Sequence, residues 1–396
     1  MVKVVIWFFK KQFKISANVP IEVANINEPY LLLANHYGRY DPFIIADFIK
    51  KKPNFISSDA ILRDPLYGPL FKGLGAIGKK KGMRDSHVIR EMKKVIDGGG
   101  AIALFPEATR TWSGVTHFID PSIAKLARLL QVPVVTAKMK GAYAFDPRWA
   151  RSLRKAKIEI DYSMAISKKQ LKELNSEEIM QIINAKLAHD DIAYARAENI
   201  EIRSNHKAEY IERLLFICPD CSSIDGFTSV KNNFSCNACG YAIEIDLYGF
   251  FKTNGKVHFD NPRDWHNWQN QHFVNLILNQ LNAGIKTPFF EATSIEICEA
   301  DGNGKMAKKG IGTLSFYADK IKITCSGFDK ELFHKDITSL SPQFKERIEM
   351  FYQEKAYRFT STTHQEPGIK WELAINAVWA QTDQKFKLSS YFKHLY

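Results

Sequence analysis

Leu31-Leu32-Leu33-Ala34-Asn35-His36-Tyr37-Gly38-Arg39-Tyr40-Asp41-Pro42 is an apolar run that stops at a polar pair, with an Asp five residues beyond the His. The run reads as a buried strand, and its abrupt end as a sheet edge that presents the imidazole. Histidine is the side chain whose ordinary pKa suits proton transfer near neutrality. A carboxylate on its second ring nitrogen would fix the tautomer and raise the basicity. Pro42 suits a first helical position, so Asp41 is the expected cap of a helix over residues 41–52, with Phe43, Ile44, Ile45 and Phe48 inward and Pro53 ending it. Taken alone, the pair is more simply a surface histidine beside a capping aspartate, so its weight depends on the rest of the chain.

Downstream, short apolar runs alternate with amphipathic helices. Residues 55–58 are a strand candidate, and residues 75–81 are a small-residue strand end that runs into Lys79, Lys80 and Lys81. Residues 86–97 place Val88, Ile89, Met92, Val95 and Ile96 on one helical face, and Gly98-Gly99-Gly100 stops the helix. The run 101–105 reads as a buried strand ending in Pro106-Glu107-Ala108-Thr109-Arg110. Asp120-Pro121 should cap the next helix, 132–137 and 158–163 are strands, and Asn175 with Glu178 forms a capping box. This alternation predicts an α/β domain, a mixed sheet flanked by helices, with polar motifs at the strand ends. Lys138, Lys140, Arg148, Arg151, Arg154, Lys155 and Lys157 stand against a lone Asp146, which reads as a basic surface facing phosphate-bearing material or solvent.

A length of 396 residues accommodates two or three domains, and 45% hydrophobic with 25% charged residues is the composition of a folded chain, which excludes wholesale disorder. The net charge of +12 points to an anionic partner: nucleic acid, a phospholipid surface or a phosphorylated substrate. The apolar run 4–9 is too short to span a bilayer. With Trp7, Phe8, Phe9, Lys10, Lys11 and Lys14, residues 1–20 are expected to form an interfacial anchor on anionic lipid, or else a helix on the domain's own core. Four of the six cysteines form Cys218-Pro219-Asp220-Cys221 and Cys236-Asn237-Ala238-Cys239, with turn and β formers between them. Such spacing suits two knuckles on a β ribbon holding a structural Zn²⁺ through four thiolates, and points to a reducing compartment.

Cys298 and Cys325 have no such spacing and should be buried thiols. Asp264 is the expected cap of a helix carrying Trp265, Trp268, Leu276 and Ile277, with His266 and His272 as packing or surface residues. Strands then follow at 294–298, 312–317, 321–324 and 357–360, and an amphipathic helix at 370–379 closes the chain. This tail loosely resembles a pleckstrin-homology-like (PH-like) domain. The expected order is an anchor over 1–20, an α/β domain over 21–190, a helical linker over 191–215, a zinc ribbon over 216–248, a helical connector over 249–290 and a β-rich domain over 291–396.

Four blocks stand in one order: Asn35-His36-x4-Asp41, Gly75 to Lys81, Phe105-Pro106-Glu107-Ala108-Thr109-Arg110 and Val132-Pro133-Val134-Val135. Together they resemble the glycerolipid acyltransferase family of the lysophosphatidic acid acyltransferase type, whose blocks are NHxxxxD, GxxFIxR, FPEGTR and VPVVP. The resemblance covers residues 1–190. It implies that His36, oriented by Asp41, takes the proton from a lysophospholipid hydroxyl that attacks an acyl-CoA or acyl carrier protein thioester. The acceptor it implies is 1-acylglycerol-3-phosphate, giving phosphatidic acid. It further implies that Glu107 positions the glycerol, that Arg110 with Thr109, Lys79 and Lys81 binds the phosphate, and that amides near Asn35 or Gly38 hold the oxyanion. The enzyme would then work as a peripheral protein on the cytoplasmic face of a membrane. Ala108 stands where the family has Gly, so a positive φ there would be strained. Gly78-Lys79 replaces Phe-Ile, and Lys81 replaces Arg. The competing reading is a catalytically idle zinc-ribbon protein that engages nucleic acid or a protein partner, but no array of stacking aromatics and basic residues favours nucleic acid.

Overall fold

A computed structural model describes residues 13–58, 62, 68–73, 75–79, 86–150, 152–253, 255–301, 305–343, 347–389 and 391–396. They fall into two units: Met1–Arg148 with Ser152–Ser204, and Trp149–Arg151 with Asn205–Tyr396. The expected linker over 191–215 is therefore divided, with the helix Asp191–Ala197 in the first unit and the turn Ile211–Arg213 in the second.

The first unit is built on seven strands: β1 Ile15–Asn18, β2 Leu31–Ala34, β3 Asn54–Ser58, β4 Ile77–Lys79, β5 Ile102–Leu104, β6 Val134–Lys140 and β7 Ile158–Ile166. Their order is β1-β7-β6-β2-β5-β3-β4, with β6 and β7 antiparallel and the other neighbours parallel. Central β2 is buried on both faces, which is why Leu31, Leu32, Leu33 and Ala34 show no alternation. On one face, Leu31 and Leu33 join Ile102, Leu104 and Val134 against the helices Ser86–Asp97, Ser122–Leu130 and Ser176–Leu187. The capping box of Asn175 and Glu178 forms as expected.

Three expectations are narrowed or corrected in this unit. Most of the anchor segment lies outside the described residues, but 15–18 form β1, paired with β7, and Phe13 is buried edge-on to Phe145. Sheet hydrogen bonds and core packing thus claim the end of that segment. The helix after the histidine spans only Asp41–Ala46, with Tyr40 in the cap position. Asp41 does not cap it, because its carboxylate is turned back into the preceding loop. Finally, the basic surface expected over residues 138–157 is reduced, with Lys155 and Lys157 exposed but other cations drawn inward or paired. Arg148 and Arg154 are buried, and Lys140 pairs with Asp161 at 2.9 Å and Glu159 at 3.4 Å.

The second unit opens with a four-stranded antiparallel sheet of β8 Phe227–Val230, β9 Asn233–Cys236, β10 Ala242–Ile245 and β11 Phe251–Lys252. The helix Pro262–Asn282 follows, capped by Asn261 through the Asp264 amide instead of by Asp264 itself. Seven antiparallel strands come next: β12 Phe290–Ala300, β13 Met306–Phe316, β14 Lys320–Cys325, β15 Lys330–Phe333, β16 Ile337–Pro342, β17 Ile348–Tyr352 and β18 Lys355–Ser361. Their order is β15-β14-β13-β12-β18-β17-β16, three strands more than the sequence pattern suggests. Cys325 is buried and Cys298 half-buried. The closing helix Gly368–Ala380 is not amphipathic, since all its residues but Glu372 are buried. Its Lys370 is held inside by Asp225 at 2.6 Å and Glu366 at 2.9 Å.

Candidate active site and cysteine cluster

β2 and β5 are adjacent and parallel, so Asn35-His36 and Phe105-Pro106-Glu107 leave the sheet side by side at its carboxyl edge. Asn35 pins the first loop to β6. Its amide nitrogen donates to the Met139 carbonyl at 2.9 Å, and its oxygen accepts from the Met139 amide at 2.8 Å. His36 Nδ1 lies 2.9 Å from Asp41 Oδ2, which also accepts from the backbone amides of Tyr37 at 2.7 Å and Gly38 at 2.9 Å. An acceptor carboxylate at Nδ1 places the proton there and leaves the Nε2 lone pair for a substrate. The imidazole stacks on Phe105, with ring centres 4.0 Å apart, and keeps 19% of its side chain exposed. Burial pushes its pKa below the ordinary histidine value. The Asp41 bond works against that fall, and the charges of Arg110 and Arg148 add to it.

Glu107 sits deeper than a substrate-facing residue would. One oxygen accepts from the His36 amide at 2.8 Å and the other from the His117 amide at 2.7 Å, so both are engaged in fixing loops. Burial pushes this carboxyl up to about 8, with the two amide bonds pulling it back. Ala108 has φ +59°, so the conformation that favours glycine is indeed adopted here by alanine. Thr109 accepts from the Arg148 guanidinium at 3.1 Å, and Arg110 is half-buried, near enough for its charge to act on His36. Lys79 is exposed at the end of edge strand β4, and Lys81 lies outside the described residues.

The loop amides are occupied. His36 N donates to Glu107, Tyr37 and Gly38 donate to Asp41, and Arg39 donates to Asp146 at 3.0 Å. The oxyanion role expected of an amide near Gly38 has no support in this geometry. Arg39 adds two side-chain bonds to the buried Asp146, and a Cβ at Gly38 would come within 2.8 Å of that carboxylate. Arg39, Asp146 and Arg148 were not identified as site residues from the sequence; the signal for Asp146 was its isolation among cations, since a lone acid in a basic run has partners at hand.

The parallel strands and the loops that carry His36, Asp41 and Glu107 all fall within one stretch. Residues 12–140 match the Acyltransferase family model. The first unit therefore holds an acyltransferase-type α/β domain. Among solved structures, the chain is similar to the 1-acyl-sn-glycerophosphate (LPA) acyltransferase PlsC from Thermotoga maritima, with 19% identity and a TM-score of 0.38 over 47% of this chain and 79% of that one. No curated protein matches the chain.

Beyond this acyltransferase-type domain, the four expected cysteines meet in the second unit, with all Sγ atoms within 4.8 Å of one another. Cys218 and Cys239 are 3.7 Å apart, and Cys221 and Cys236 are 3.8 Å apart. A tetrahedron with Zn–S bonds of about 2.3 Å has edges of about 3.8 Å, so the donors fit a closed four-thiolate shell. The two knuckles repeat one geometry. Ser222 N donates to Cys218 O and Gly240 N to Cys236 O, both at 3.0 Å, with Ser222 at φ +60° and Gly240 at φ +78°. Among the described residues this is the one cluster suited to a metal, and no helix is long and apolar enough to cross a membrane.

Proposed function

We propose that the protein transfers a fatty acyl group from an acyl-CoA or acyl carrier protein thioester to the hydroxyl of a lysophospholipid, 1-acylglycerol-3-phosphate in the first instance, giving phosphatidic acid. The observation that carries this reading is the His36–Asp41 pair, held at the carboxyl edge of β2 through Nδ1 with the imidazole still partly exposed. His36 Nε2 takes the hydroxyl proton as the oxygen attacks the thioester carbonyl. The C–S bond then breaks, and the thiolate leaves with the proton returned by the imidazolium. Glu107 serves as a positioning residue for this base.

A structural Zn²⁺ held by Cys218, Cys221, Cys236 and Cys239 is part of the proposal, supported by the donor spacing. So is a PH-like assignment for β12–β18 and the closing helix, supported by the seven-stranded antiparallel order. Peripheral attachment to the cytoplasmic face of an anionic membrane follows from the basic composition and lipid substrate.

Acyl transfer from acyl-CoA and from acyl carrier protein to a panel of lysolipids tests the reaction. His36→Ala should lower kcat by roughly two to four orders of magnitude, the usual worth of a general base. Because the neutral imidazole is the active form and its pKa is lowered, the acid limb of kcat/KM should fall below pH 6.5, with activity lost as pH drops through it. Undiminished transfer by the variant overturns the mechanism.

A further inference from the structure

The end of β6 and the segment after it meet the site at three successive points: Met139 on Asn35, Asp146 on Arg39, and Arg148 on Thr109. The third is a cation of unusual fixity. Arg148 is 6% exposed, its guanidinium carbon lies 3.6 Å from the centre of the Trp112 ring, and one terminal nitrogen bonds Thr109 Oγ1. Trp112 is fully buried and is itself held through its carbonyl by the Tyr143 hydroxyl at 2.9 Å. The next residue back, Thr111, donates its amide to the His36 carbonyl at 2.9 Å. Arg148 is thus attached to the loop that backs the catalytic histidine.

The loop that carries His36 is lined by two buried acidic side chains, Asp41 and Asp146. Of these carboxylates, Asp146 is matched directly by Arg39. An anionic headgroup needs a cation on the same side to offset their repulsion. Lys79 is poorly placed for this, because β4, which it ends, lies three strand spacings from β2, roughly 14 Å across the sheet. A stacked guanidinium on the 109–112 loop is nearer and already ordered, and its planar fork matches a phosphate.

We infer that Arg148 is the specificity-determining cation of the site and holds the phosphate of a phosphate-bearing lysolipid acceptor, with Thr109 setting its orientation. This rests on the acyl-transfer reading above and sharpens it by assigning headgroup choice to a residue outside the four sequence blocks. The charge of Arg148 also contributes to the lowered basicity of His36, as expected of a group facing the same space.

The test compares the full-length wild type with Arg148→Gln and Arg148→Lys, on 1-acylglycerol-3-phosphate and on monoacylglycerol of the same chain length. The expected result is that the ratio of kcat/KM for the phosphorylated over the phosphate-free acceptor falls by roughly tenfold or more in Arg148→Gln, as when a charge-assisted hydrogen bond is lost. Arg148→Lys should fall between, because charge survives without the fork. If Arg148→Gln does not fold, the lysine variant alone is read in the same way. A parallel loss on both acceptors, with the ratio unchanged, overturns the proposal and leaves Arg148 a packing residue.

Equilibrium dialysis of glycerol 3-phosphate separates this idea from the reaction itself. Saturable binding by wild type that weakens in Arg148→Gln supports the anion site even if no acyl group is transferred. Equal binding by both proteins, or none by either, overturns it.

Discussion

Ala108 is where the chain bears strain that its sequence announces. The block Phe105-Pro106-Glu107-Ala108-Thr109-Arg110 has alanine where the family it resembles has glycine, and the residue does take φ +59°. The exposed methyl gains no packing in return. Left-handed backbone costs an L-residue about 1–2 kcal/mol, offset in part by the greater freedom of glycine in the unfolded chain. Ala108→Gly should therefore raise stability by about 0.5–1 kcal/mol, read as a higher urea midpoint with an unchanged slope. A lower midpoint would mean that the methyl makes a contact worth more than the strain. The burial of Arg148 and Asp146 was not legible in the same way. Charge alone predicts exposure, and partners distant in sequence, among them the aromatic face of Trp112 and the fork of Arg39, reverse it.

At the scale of elements, Glu107 ties the loop after β2 to the loop after β5. The sequence shows each of those strands as a short apolar run, because burial on both faces leaves a local signature. It does not show that they are neighbours, since parallel pairing joins residues some seventy positions apart. Strands β15, β16 and β17 escaped for a related reason: each is short, and its pattern makes sense only beside its partner. The Asp41 cap failed because a carboxylate that serves the imidazole and two loop amides is not available to the helix behind it. The Glu107 tie can be broken selectively. Glutamine at 107 keeps one acceptor and turns an NH₂ group toward the other backbone N–H, so Glu107→Gln should lose about 1–3 kcal/mol of stability, measured by thermal or urea unfolding. It should also lower kcat more than it raises KM for the acceptor, because the loop that shifts carries the base and not the headgroup cation. A variant with KM raised and kcat intact would return Glu107 to the substrate-binding role that the family resemblance implies.

At the scale of the whole molecule, the second unit links its cysteine cluster to its most buried helix. Asp225, in the loop after the first knuckle, binds Lys370 of the helix Gly368–Ala380, and Glu366 completes the pairing. Burial alone would lower the pKa of this lysine. The two carboxylates outweigh it and hold the pKa above the ordinary lysine value, so the ammonium stays charged inside the fold. An ion pair at this depth is costly to leave half-made, about 3–5 kcal/mol when one partner is removed. Trp265 reports on the same region, ringed by Phe227, Phe234, Tyr241 and Phe251 and bonded through its indole nitrogen to the Ile217 carbonyl beside Cys218. Chelation of the proposed zinc should red-shift the tryptophan emission and lower the melting temperature, and Cys236→Ser should reproduce both changes in the absence of chelator. Lys370→Met should leave one zinc per chain, as measured by metal analysis, while costing about 3 kcal/mol or more in unfolding, because the metal shell is intact but Asp225 and Glu366 lose their shared cation. Emission and melting temperature unmoved by a chelator that strips the metal would show that the four thiolates do not support this fold.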